Sequence, residues 1–145
     1  MSDVNNAIIL VESLTGNTWK AGERIAANLQ QEGWGVTAVC SVRQPELTAL
    51  SAADLVLVGT WTDGIFVFGQ RPGGAGHLWS LPVIAGKRAA AFCTYALNPG
   101  KVPEKMSRIL AAHGADVLGG LALHRHKLEE HTEEFVARLL ANVPA

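Results

Sequence analysis

The 145-residue sequence predicts an α/β fold, a doubly wound parallel sheet of five strands with helices on both faces. Two patterns carry this expectation. Five short apolar runs show no alternation of apolar and polar residues, as strands buried on both faces do. Between them lie segments whose apolar residues recur at helical spacing, and only a crossover of that kind brings the chain back to a parallel neighbour.

The first run, residues 7–11 (AIILV), leads through a polar loop into a stripe of Ala21, Ile25 and Leu29. Gly33 closes that helix at the position where a left-handed residue is favoured. The second run, residues 36–39, is followed by a weak helix over 45–53. The third, residues 55–58 (LVLV), opens onto a long Gly-rich stretch beyond Gly64 that reads as irregular. After the fourth, residues 89–93 (AAAFC), come Val102, Met106, Ile109, Leu110 and His113, with Pro103 in the first turn and Gly114 just past the end. The fifth, residues 117–123, precedes a stripe of Leu128, Phe135, Val136, Leu139 and Leu140. No linker-like tract or repeat divides the chain, so residues 1–145 are expected to form one domain.

A net charge of −1 lacks the basic footprint of a nucleic-acid binder. No apolar stretch approaches the roughly 20 residues of a membrane span. The N-terminus has neither the basic region nor the apolar length of a signal peptide, so a cytoplasmic location is expected. There Cys40 and Cys93, each ending an apolar run, read as buried reduced thiols rather than a disulfide or metal pair. The five His fall at no metal-ligand spacing, and His124-Arg125-His126 reads as solvated side chains.

Open parallel sheets bind ligands beyond the carboxyl ends of their strands, where the strand order reverses. The loops after the apolar runs are therefore the places to search. After the first run stand Ser13, Leu14, Thr15, Gly16, Asn17 and Thr18. Hydroxyls, an amide and a Gly at a helix start, where backbone N–H groups and the positive helix pole face outward, suit a phosphate dianion. The loop has no Lys or Arg, unlike a nucleoside-triphosphate loop, and no Gly-x-Gly-x-x-Gly fingerprint. The plainer alternative is a strand-to-helix turn with a hydroxyl cap. After the third run come Thr60, Trp61, Thr62, Asp63 and Gly64. Trp61 is placed to stack on a planar ligand or, alternatively, to cover the core edge, and Asp63-Gly64 is a turn dipeptide. After the fourth come Thr94, Tyr95, Leu97, Asn98 and Gly100, with Tyr95 the only tyrosine.

In these residues the chain resembles the flavodoxin family, whose phosphate loop reads Ser/Thr-x-Thr-Gly-x-Thr. Ser13, Thr15, Gly16 and Thr18 match it, and the likeness runs over about residues 7–140. The resemblance implies strand order 2-1-3-4-5 with FMN at the switch point, flavodoxin being the standard example of that order. It implies that all three loops hold FMN, with Trp61 on the inner face of the ring and a Gly-containing turn beside its reactive nitrogen. Tyr95 would take the outer face, with Thr94 and Asn98 as polar contacts. The loop over 94–100 departs from many flavodoxins in having Asn98-Pro99-Gly100 and no acid. Trp34 and Trp79 read as packing residues, and Trp19 as packing or as a shield for the ribityl chain. Residues 69–76, with four Gly, Arg71 and Pro72, read as a mobile rim, and Lys101 lies beside it.

The implied function is an electron carrier, a monomer that takes low-potential electrons from a reductase and passes them to an acceptor protein. A carrier needs no general acid, substrate pocket or nicotinamide site, and no such motif is visible. The alternative is an FMN-dependent NAD(P)H:quinone reductase on the same fold. A non-redox module is disfavoured by Trp61 and Tyr95, since a phosphate alone needs no aromatic pair.

Overall fold

The computed structural model describes residues 5–63, 70–82 and 84–143. Its strands are β1 (Asn6–Val11), β2 (Gly35–Ser41), β3 (Leu55–Asp63), β4 (Arg71–Pro72), β5 (Arg88–Tyr95) and β6 (Asp116–His124). The helices are α1 (Asn17–Gln31), α2 (Leu47–Ala52), α3 (Ala75–Trp79), α4 (Val102–Ala112) and α5 (Leu128–Asn142). The main sheet is parallel in the order β2-β1-β3-β5-β6, and the two-residue β4 pairs antiparallel with β3. With β4 set aside, this is the expected order 2-1-3-4-5 of a flavodoxin-like fold.

Successive residues of a strand point to opposite faces, and the two halves of the core follow from that. Ile8, Leu10, Val56 and Val58 pack under α2, α3 and α4. Ala7, Ile9, Val11, Leu55 and Leu57 pack under α1 and α5. Phe92 is fully buried because Gly59 on the neighbouring strand leaves room for its ring, which a Cβ there would meet at 2.1 Å. Among the described residues no helix is long and apolar enough to cross a membrane.

Three local expectations change. Residues 60–63 are strand and not loop, since β3 runs four residues past Gly59 beside β5, with Trp61 opposite Thr94. Beyond the end of β1 the other edge of this extension needs partners for its backbone, and β4 supplies them, with the Gly73 N–H donating to Trp61 O at 2.8 Å. Residues 70–76 are accordingly built structure, with β4 and the start of α3 where a mobile rim was expected, while Gly64 and Gly69 lie outside the described residues. His113 is the C-cap of α4 rather than a member of its apolar stripe. Its ring nitrogens lie 2.8 Å from Ile109 O and 3.1 Å from Trp79 O, tying α3 to α4.

Candidate functional site

The loop after β1 turns into α1 at Gly16, whose φ of 94° is the left-handed conformation that glycine adopts at no steric cost. The Gly16 N–H donates to Ser13 Oγ at 3.1 Å, and Asn17 Nδ2 donates to Thr15 Oγ1 at 3.4 Å. No side chain caps α1 and no acid stands in its first turn, so the opening N–H groups and the positive helix pole are left for an anion. Thr18 is buried, with its hydroxyl 2.8 Å from that of Thr94, which ties this loop to the end of β5.

An open groove of about 170 Å³ lies at the carboxyl ends of the strands. Leu14, Thr15 and Asn17 line it from the first loop, Trp61 and Thr62 from β3, and Thr94, Tyr95 and Ala96 from β5 and the turn after it. All three segments singled out in the sequence thus meet at one place. Gly73 backs Trp61 so closely that a Cβ there would stand 2.0 Å from the indole, which leaves the other face of the ring to the groove. Thr62 Oγ1 is shut from solvent without a partner of hydrogen-bonding geometry among the described residues, although the Cys93 thiol interacts with it weakly. Burial pushes that thiol up to about 12.

The remaining expected residues stand behind or beside the groove. Thr60 is buried and its hydroxyl donates to Gly73 O at 2.6 Å, holding the segment that backs Trp61. Asp63 pairs with Arg71 at 3.5 Å across β3 and β4. Asn98 Oδ1 accepts the Gly100 N–H at 2.8 Å, which shapes the turn, and Leu97 is 91% exposed. Gly64 lies outside the described residues. Trp19 and Trp34 pack against the core under α1 and α5, and Trp79 is exposed beside His113.

Three residues at the site were not expected from the sequence. Arg125, read there as solvated, lines the groove, and its N–H donates to Tyr95 O at 2.9 Å. The available signal was its place at the carboxyl end of the last strand. Gly73, which falls within the expected rim, is the second, for its closeness to Trp61. The third is Glu12, 2% exposed, whose carboxylate meets Arg43 Nη2 at 3.0 Å and His77 Nδ1 at 2.8 Å. This cluster fastens the loop after β1 to the loop after β2 and to α3. A cavity of similar volume between β6 and α5, lined by Leu118, Leu121, Phe135 and Leu139, lies away from these loops.

The chain is similar over nearly its whole length to solved flavodoxins. Flavodoxin 2 of Bacillus cereus is 21% identical, with 95% of this chain and 99% of that one covered and a TM-score of 0.71. The two-electron reduced flavodoxin of Megasphaera elsdenii is 20% identical, with 90% and 98% covered and a TM-score of 0.69. Rubredoxin oxygen:oxidoreductase of Desulfovibrio gigas is 19% identical, and 98% of this chain matches 38% of that one, with a TM-score of 0.68. No family model and no curated relative matches the sequence. At these identities the likeness is one of fold, and the fold is that of the flavodoxins.

Proposed function

We propose that this chain binds one FMN at the carboxyl ends of β1, β3 and β5 and serves as an electron carrier. The observation that carries the reading is the convergence of an uncapped, hydroxyl-rich helix start with Trp61 and Tyr95 around one open groove. The phosphate fits the N-terminus of α1, where Ser13, Thr15 and Asn17 surround backbone N–H groups that no side chain caps. The ring fits between Trp61 and Tyr95. Bound there, FMN supplies the redox chemistry, while the chain orients it, shields one side and leaves an edge open toward a protein partner.

The test is uptake of FMN by the purified apoprotein, followed by visible absorption and by quenching of flavin emission. Stoichiometric binding is expected, with riboflavin weaker than FMN because it lacks the phosphate. Thr15→Asp, an exposed position where the new charge faces that phosphate, should cost at least about tenfold in affinity, or about 1.4 kcal/mol. Equal affinity for riboflavin and FMN would remove the phosphate assignment. Rapid NADH oxidation by the FMN-loaded chain would favour a reductase over a carrier.

A further inference from the structure

We propose that the face beside the ring groove docks a redox protein with an acidic surface. The inference rests on the carrier reading and names the chemistry of the partner. A second open groove of about 440 Å³ lies between the start of α1 and the turn from β6 into α5. Lys20 and Arg24 line it from α1, and Arg125 and Lys127 from the turn. Glu129 and Glu130 also line it, in the first turn of α5, where they complement the positive helix pole. The four cations outnumber them.

This groove is continuous with the ring groove, because Asn17 and Arg125 line both. Leu14, 71% exposed, lines the ring groove, and Leu97, 91% exposed, follows Ala96 on its margin. Exposed leucines beside a cationic collar match a protein interface, with apolar contacts at the centre and charge at the rim. The leucines offer nothing to a free phosphate or a polyanion, which the cations alone would attract. A partner seated on the leucines and the cations covers the open edge of the ring site. The cations then attract an acidic partner over a distance set by ionic screening.

The test uses two haem proteins as probes, acidic cytochrome b5 and basic cytochrome c, each immobilised for surface plasmon resonance. Both the apoprotein and the FMN-loaded chain are applied. Binding to cytochrome b5 is expected to exceed binding to cytochrome c and to weaken by about tenfold from low to physiological ionic strength. The double variant Arg24→Glu, Lys127→Glu, which leaves two cations against four acids, should reverse the preference, and Lys127→Glu alone, which balances three against three, should abolish it, each with its fold checked by circular dichroism. Leu14→Ser with Leu97→Ser should weaken cytochrome b5 binding while leaving its salt dependence intact. Equal or tighter binding to cytochrome c overturns the inference, as does indifference to the charge variants. Binding that heparin displaces and the leucine variant does not affect would reassign the groove to polyanions and also overturn it. Because the apoprotein arm needs no flavin, charge-selective binding without FMN uptake would defeat the carrier reading alone. FMN uptake without charge selectivity would defeat this inference alone.

Discussion

Cys93 shows how strongly burial bears on the chemistry of a side chain. Its thiol is pushed from 9.0 to about 12 chiefly by desolvation, so the folded state holds the proton more tightly than the unfolded chain does. Stability from this group is fully present below about pH 9, and it is lost as pH rises toward 12 because only the unfolded state gains by ionising. Thermal unfolding across that window should show a downward slope that is shallower in Cys93→Ala, whatever that variant loses uniformly to its cavity. An unchanged slope would assign the alkaline loss to other groups. Gly73 acts through space in another way, since any side chain there collides with the indole of Trp61. If Trp61 stacks on FMN as proposed, Gly73→Ala should weaken FMN binding by about tenfold by displacing the indole, an aromatic contact being worth about 0.5 to 1.5 kcal/mol beyond its buried area. Flavin fluorescence titration of the variant beside Trp61→Ala checks this, with similar losses expected in both.

At the scale of elements, the Glu12 cluster joins three segments that are far apart in the chain. The deeply buried Glu12 side chain has both its oxygens met by Arg43 and His77, and Glu12→Gln would leave those partners facing an uncharged amide. Glu12→Gln should destabilise the fold by about 1 to 2 kcal/mol, less than the loss of a fully buried pair because both partners are about half exposed. The contrast is Glu134→Gln, which breaks an exposed i,i+4 pair with Arg138 and should cost under about 0.5 kcal/mol. Urea denaturation of the two variants measures both, and equal effects would deny the cluster its role as a fastening. The extension of β3 belongs to the same scale. Residues 60–63 became strand because β5 and β4 were available to either side, and pairing of that kind is invisible in a local apolar run.

For the whole molecule, the charge around the site matters more than the net charge of −1. Arg71, which the sequence set in the rim with Lys101 beside it, is offset by Asp63 across β3 and β4. Arg125 lines the groove itself and, with FMN bound there as proposed, is the cation placed to favour an anionic reduced flavin. Arg125→Glu should make the second reduction step of bound FMN more negative, a tenfold change in equilibrium corresponding to about 59 mV for one electron. A redox titration with FMN loading confirmed beforehand reads the shift. A potential that stays in place or rises would remove Arg125 from the electrostatics of the ring.

The sequence alone determined the alternation of strands and helices and the motif from Ser13 to Thr18. It also set Trp61 and Tyr95 just beyond two apolar runs, although the structure carries β3 through Trp61 and ends β5 at Tyr95. These are local facts: an apolar run, a stripe at helical spacing or a cluster of hydroxyls before a helix is written in neighbouring residues. Tertiary structure decided what those residues touch. Thr18 meets Thr94 across 76 positions and Glu12 meets His77 through the crossover connections of a parallel sheet, while Gly73 folds back beneath Trp61 through the antiparallel pairing of β4 with β3. Arg125 entered the site for the same reason, because parallel strands deliver all their carboxyl ends to one side of the sheet however far apart they are in sequence.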